Sequence, residues 1–435
     1  MPGLGPGILG APLPLDDPRP RLAALATAAP AAPRLRHRVR SGRAFLALGP
    51  AMLAATAYMD PGNFAVNIAA GSRFGYRLLW VVLAANLIAV LFQALSARLG
   101  LASGRNLAEL CRERLPLPAV LAMWALSELG AMATDLAELV GGAIGFALLA
   151  GVPVFAGLLI TAGITCAILT LDPTGLRPIK IIVAAFVAVI GGCYLIELWV
   201  APLDWRSAAA GALVPSLPGP GAVPIAVGII GATVMPHALY LHSGLVQDSG
   251  AHALYRRQAL RRSNGAVVAA LGTAGLINLA MVAMAAAAFF GRGEIAGIGS
   301  AYRTLGPLLG AGAAAAFLAS LIASGISSAI VGTLAGQIIM QGFVGFGIPL
   351  WLRRLATMAP AVAVVGLGLD TTKALVLSQI VLCLALPVPM LALVAFTAQR
   401  DVMGPSANRP LTTAVAIAAA VLVLAFNAVL VVQSL

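Results

Sequence analysis

Charge is what this chain has least of: only 10% of its 435 residues are charged, while 60% are hydrophobic. A soluble protein of this size needs a polar surface, so that scarcity excludes an ordinary soluble fold. Repeated runs of about 20 apolar residues point instead to a polytopic, all-α integral membrane protein, read as one transmembrane domain. Cysteine is nearly as rare. Cys111, Cys166, Cys193 and Cys383 show no CxxC or other metal-ligand spacing, so they are read as reduced small hydrophobes without a disulfide framework. No HExxH, Walker loop or GxSxG occurs in a usable context, and nothing argues for an enzyme or a cofactor. His242 lies five residues after His237, roughly 140° around a helix, so the two do not make a metal pair. The net charge of +12 suggests nucleic acid, but the basic residues sit in short loops with no basic face and no interleaved aromatics. Nucleic acid is therefore excluded as a partner, and no obligate protein partner is evident.

Residues 1–43 are rich in Pro, Ala, Gly and Arg and read as a disordered cytosolic tail. They lack the order of a secretory signal, and Asp16, Asp17 and the prolines count against an organellar transit peptide. Eleven apolar spans follow, near 45–71, 78–97, 117–147, 153–171, 179–200, 223–246, 265–290, 307–340, 354–369, 374–397 and 411–432. With the tail inside the cell, 21 of the 27 basic residues fall on the cytosolic side and 6 on the other. That skew places the chain in the cytoplasmic membrane with its N-terminus cytosolic and its C-terminus extracytoplasmic.

Two spans are interrupted. Span one holds "TAYMDPGNFAVN", residues 56–67, where Pro61 cannot donate a backbone hydrogen bond and Gly62 weakens the helix further. A break at Asp60–Asn63 is expected. Span six holds "GIIGATVMPHALYLHSG", residues 228–244, with Pro236 in mid-segment. These spans open two five-span halves, about 44–200 and 223–397, with an extra span at about 411–432. Paired interruptions at corresponding positions are the sequence signature of an inverted-repeat transporter with a midplane site. Simple proline kinks would explain both prolines but not Asp60, since a carboxylate at mid-membrane costs roughly 2.5–3.5 kcal/mol.

Asp60 and Asn63 supply hard oxygen ligands, and unwound backbone near Ala57 and Ala232 supplies carbonyls. Met235 adds a soft thioether, suited to transition metals and poorly suited to Ca2+ or Mg2+; the alternative is that it fills a packing gap. Span three, "MWALSELGAMATDLAELVGG", carries Glu128, Asp135 and Glu138 on one helical face, the mark of a proton or ion pathway. Arg353, Arg354 and His237 are its candidate partners, although spacing does not say which arginine reaches inward. Asn86, Asn278 and Gln379 are further buried polar candidates, equally suited to interhelical hydrogen bonding.

"DPGN", "MPH" followed by "LYLHS", and "ELGAMATDLAEL" together resemble the Nramp family of proton-coupled divalent metal transporters. The likeness extends from about residue 44 and includes "FGYRLLWVVLAANL", "SGRNLAEL" and "IPLWLRR". The resemblance implies a LeuT-like inverted repeat of ten core helices plus an eleventh. It implies a metal site of Asp60, Asn63, Met235 and the carbonyls of Ala57 and Ala232. It also implies a proton route through Asp60, Glu128, Asp135, Glu138, His237, Arg353 and Arg354. Where many relatives have asparagine after MPH, this chain has Ala238, which implies a change of local packing. The family's magnesium-transporting branch lacks the methionine, so Met235 points to the manganese and iron branch. Two other classes remain to be weighed. An organic-solute carrier of the same fold would want no carboxylate at the centre, and a passive cation channel would want a pore ring from several subunits.

Overall fold

Long runs of Ala, Leu, Val and Ile without turn signals fold as helices. Among the described residues of this computed structural model every regular element is helical. Described are residues 43–170, 177–219, 221–247, 256–292, 295, 297–346 and 349–434. The expectation for the 1–43 tail therefore lies outside the described residues, apart from Arg43, which opens the first helix.

In chain order the helices are α1 (Arg43–Thr56), α2 (Pro61–Phe74), α3 (Leu79–Ser103), α4 (Leu107–Arg114), α5 (Leu117–Ala150), α6 (Val154–Thr170), α7 (Arg177–Val200), α8 (Trp205–Leu213) and α9 (Ala222–Thr233). The second half comprises α10 (Pro236–Gln247), α11 (Arg256–Phe289), α12 (Ile298–Leu309), α13 (Ala311–Val344), α14 (Leu350–Gly366), α15 (Thr371–Ala385), α16 (Pro387–Ala398), α17 (Arg400–Met403) and α18 (Pro410–Ser434). Each of the eleven apolar spans has its helix or helix pair: α1–α2, α3, α5, α6, α7, α9–α10, α11, α13, α14, α15–α16 and α18. Among the described residues eight helical stretches are long and apolar enough to cross a membrane, one of them joining α2 to α3 through the turn Gly75–Leu78. By contrast α1, α6 and α14 have only 14, 17 and 17 residues.

Three features depart from the sequence reading. The apolar run from 307 begins inside α12, and Gly310, with φ of 93°, separates it from α13. Span ten is divided at Pro387 into α15 and α16, with Leu386 between them keeping helical dihedrals of φ −61° and ψ −39°, so it is a proline junction and not an unwound break. Residues read as loop form the short helices α4 and α8, so Cys111 is helical. The start of α4 carries a capping box, with Asn106 accepting from the backbone of Glu109 and the Glu109 side chain reaching back.

The inner elements close through small residues. A methyl group on Gly325 of α13 would lie 2.8 Å from Gly142 Cα of α5, so the two backbones meet directly. On the surface, Arg114 of α4 donates to Asp401 of α17 at 2.7 Å. That hydrogen bond holds the Asp401 carboxyl below its ordinary range, so the contact persists above that range and is lost as pH falls through the lowered value.

A hydrogen bond from Asn427 helps tie in the eleventh span. Pro387 has no N–H to offer the carbonyl of Cys383, four residues earlier. Asn427 of α18 supplies the missing donor, with Nδ2 at 2.8 Å from that oxygen. Asn427 is buried in a helix that otherwise exposes much of its surface. Asn427→Leu should lower unfolding stability in detergent by about 0.5–1.5 kcal/mol, the net worth of one hydrogen bond, because the carbonyl then keeps only its long bond from Leu386 N at 3.3 Å. An unchanged thermal midpoint would show that the carbonyl finds another partner.

Candidate functional site

Both helix breaks obey the same local rule. Proline suits the first position of a helix, where its missing N–H has no carbonyl to serve. Pro61 opens α2 and Pro236 opens α10, so each proline starts the second half-helix rather than disrupting the first. In span one, Ala57–Met59 form a single 3-10 turn and Asp60 is extended, with φ −74° and ψ 166°. The break thus covers 57–60, not 60–63 as the sequence suggested, and Asn63 lies in the first turn of α2. Asp60 caps that helix, accepting from Gly62 N at 3.2 Å and Asn63 N at 3.0 Å. In span six, α9 ends at Thr233, and Val234 and Met235 link it to Pro236.

Asn63 joins the two breaks. Its Nδ2 donates to Asp60 Oδ1 at 2.7 Å and to the carbonyl of Ala232 at 3.0 Å. Asp60, Asn63, Ala232 and Met235 are fully buried. Asn63 Oδ1, Thr233 Oγ1 and Gln379 Oε1 are buried oxygens without a donor. Gln379 reaches the site from α15 because two glycines make room. A methyl on Gly62 would lie 2.0 Å from Gln379 Nε2, and one on Gly231 would lie 1.9 Å from Gln379 O.

The unwound backbone is held from both sides. Asn278 of α11 donates to the Tyr58 carbonyl at 2.8 Å and accepts from Asn67 at 3.0 Å. Ser324 of α13 donates to the Met59 carbonyl. Ala57 begins the 3-10 turn and is buried. Asn86 is half-buried and packs against Gly275 of α11. Among the described residues neither Asn86 nor Gln379 has a hydrogen bond to a break, but Gln379 lies against Gly62 and Gly231 while Asn86 stands aside.

Beside the breaks lies the acidic face of α5. Glu138 is fully buried, its carboxyl pressed against Gly332 of α13, and its charged neighbours are Asp135, Asp60 and Arg354. Arg354 donates to Thr333 and Ala329 of α13. Arg353 forks onto Glu128 at 3.1 and 2.8 Å, and Trp124 donates to the same carboxylate at 3.2 Å. Both arginines therefore reach inward, Arg353 to Glu128 and Arg354 to α13 with Glu138 as a charged neighbour. His237 meets Thr134 through Nδ1 at 3.2 Å, and its Nε2 has no partner. The three carboxylates thus divide: Asp135 and Glu138 share a group with Asp60 and Arg354, while Glu128 pairs with Arg353 about 10 Å along the helix.

Several buried polar residues escaped the sequence reading. Gln93 donates to the Tyr58 hydroxyl at 2.6 Å and meets His242 Nδ1 at 2.8 Å, which ties the first break to α10. Thr233, Asn67 and Glu197 are also buried. Their one signal is a single polar residue inside an apolar span, the same signal that picked out Asn278 and Gln379.

Among the described residues no group of three or more His, Cys, Asp and Glu side chains is arranged for a metal. The two breaks bring together one carboxylate, amides and backbone carbonyls, with Met235 buried in the link between α9 and α10.

Comparison with known proteins bears on this arrangement. Residues 51–433 match the family model described as Nramp, natural resistance-associated macrophage protein-like. A divalent metal cation transporter MntH of Acidiphilium cryptum is 58% identical over 413 residues, covering 94% of this chain and 95% of that one. The MntH of Deinococcus radiodurans is 50% identical over 384 residues, covering 87% and 88%. The crystal structure of an Eremococcus coleocola manganese transporter superposes with a TM-score of 0.79 at 30% identity, covering 91% of this chain and 90% of that one. Mhp1, a nucleobase-cation-symport-1 family transporter, superposes with a TM-score of 0.60 at 15% identity, covering 92% and 91%, a likeness of fold alone. These relatives are named as transporters, not enzymes. The fold is LeuT-like, as the sequence implied. With family likeness running through nearly the whole of its length, this chain belongs to the Nramp family.

Proposed function

We propose that this chain is a secondary active transporter that carries Mn2+ and Fe2+ into the cytosol together with protons, by alternating access. The observation that carries the reading is the Asn63 amide, whose N–H groups bond to Asp60 Oδ1 and the Ala232 carbonyl, two oxygens from two broken helices. Those hydrogen bonds stand where a cation would. When the amide turns, it offers Oδ1, so that carboxylate, amide and carbonyl oxygens face one point. Met235, fully buried three residues after Ala232, contributes sulphur and with it a preference for transition metals. The names of the relatives, divalent metal cation and manganese transporters, support the same substrate class.

The ion enters between the two breaks and exchanges its waters for these ligands. Metal ligands must be deprotonated, so binding at Asp60 displaces a proton. Glu138 and Asp135, the acidic neighbours within the α5 group, are placed to take it. The Glu128–Arg353 pair lies further along the same helix, and the skew of basic residues puts that end on the cytosolic side. The half-helix α1 then swings, the ion leaves, and the membrane potential assists the inward movement of positive charge. The organic-solute reading draws on the likeness to Mhp1, but Asp60 disfavours a site for a carboxylate-bearing solute.

Two outcomes are expected. In isothermal titration of the purified protein, Asp60→Ala should abolish Mn2+ binding. Met235→Ala should narrow the preference for Mn2+ over Mg2+ by about tenfold, a difference of 1.4 kcal/mol. Unaltered selectivity would make Met235 a packing residue. In proteoliposomes, Mn2+ uptake should saturate and follow an imposed pH gradient, and Glu138→Gln should reduce proton flux more than metal flux. Non-saturating uptake that ignores the gradient would mark a channel.

A further inference from the structure

Glu197 belongs to none of the groups above. It sits in the last turn of α7, fully buried, and neither carboxyl oxygen has a hydrogen-bond partner among the described residues. The buried stripe Ile190, Tyr194, Glu197 and Ala201 turns inward, while Leu195, Ile196 and Trp199 are exposed. One turn before Glu197, the Tyr194 ring meets Phe64 of α2 at 5.7 Å, and Phe64 meets Phe317 of α13 at 5.9 Å. Tyr194 also bonds to Ser320 of α13. Glu197 is thus sealed where α7, α2 and α13 come together.

No counter-charge is built into these elements. α13 has no ionisable side chain along its whole length. α1 has only Arg43, at its first residue, and α2 has only Arg73, in its last turn. The arginines of α11, at 256, 257, 261 and 262, all lie in its first two turns. Arg177 and Lys180 occupy the opposite end of α7, about 25 Å away along the helix. Its ionisable neighbours on α7 itself are Cys193 and Tyr194. One turn beyond Glu197, a cavity of about 280 Å3 opens, lined by Val200, Pro202, Ala287, Leu308 and, as its charged member, Arg292.

A carboxylate sealed from water without donors or a cation is untenable, and such a group takes up a proton instead. We propose that Glu197 is a proton-binding site of its own, loaded while α7, α2 and α13 are packed as here. It empties into the adjoining cavity when they part. On emptying, the O–H bond breaks heterolytically, the electron pair stays on the carboxylate, and the proton passes to cavity water. Charged Glu197 resists return to the sealed position, so the site makes closure of this end of the carrier depend on proton availability in the cavity. The link to transport rests on the function proposed above; the proton on Glu197 does not.

Infrared spectroscopy of the full chain in lipid, without metal, tests the proton directly. At neutral pH the wild type minus Glu197→Gln difference spectrum should contain a protonated-carboxyl C=O band, lost in the variant. Should that variant fail to fold, Glu197→Asp should shift the band. Absence of any such band, or a band that neither substitution moves, overturns the proposal. In proteoliposomes, Mn2+ uptake by Glu197→Gln should lose the wild type's dependence on cavity-side pH, and superimposable pH profiles would refute the coupling. Wild-type protein that moves no metal would sink the transport reading alone, because the infrared band is read without metal.

Discussion

The Asn63 amide bonds to two oxygens from different halves of the chain, Asp60 Oδ1 and the Ala232 carbonyl. The bond to Asp60 stays within span one, but the pair of bonds forms only where both spans are unwound at the same depth. The carbonyl of Ala232 is free because α9 ends one residue later, and Asp60 is extended because it caps α2. An unsatisfied polar group in the membrane interior costs several kcal/mol or more, so the paired breaks persist only by satisfying each other. Surrounding elements serve this arrangement. Asn278 and Ser324 hold the carbonyls of Tyr58 and Met59, and Gly62 and Gly231 let Gln379 approach.

The same constraint orders the charges nearby. Glu138 lies beside Gly332, and the Arg353 guanidinium beside Gly336, both on α13, where larger residues would push the charged groups away. Arg353 satisfies Glu128 with a two-pronged contact, while Arg354 serves α13 hydroxyl and carbonyl groups next to Glu138. A cation arriving at Asp60 is therefore felt by a carboxylate that already has Asp60 among its charged neighbours. Under the function proposed above, metal binding and proton movement become one electrostatic event. Glu197 stands apart, with no such neighbour, at the opposite end of α7 from that helix's own basic residues.

Much of this was legible in the sequence because the membrane makes polar residues expensive. Asp60, Asn63, Pro61 and Pro236 announced the breaks, and Asp135 and Glu138 announced the acidic face. The first break lies before Pro61 and not around it, because proline is at home at the start of a helix, a preference that the sequence alone does not distinguish from a disruption. Span ten has a proline junction at Pro387 that stays helical, and no buried charge accompanies it. Spacing left Arg353 and Arg354 undecided, since adjacent residues point about 100° apart and only packing selects between them. The pairings of Gln93 with His242 and of Asn427 with Cys383 join residues 149 and 44 positions apart, and no local pattern reveals such partners.

The central claim is that two broken helices present one mixed set of donors to a transition-metal ion. An anomalous-scattering map from crystals grown with Mn2+ tests it most directly. The account predicts a single strong peak between the breaks, bounded by the Asp60 carboxyl, the Asn63 amide oxygen and the Met235 sulphur. A peak elsewhere in the molecule, or continuous helix through Pro61 or Pro236 in the metal-bound protein, would contradict it.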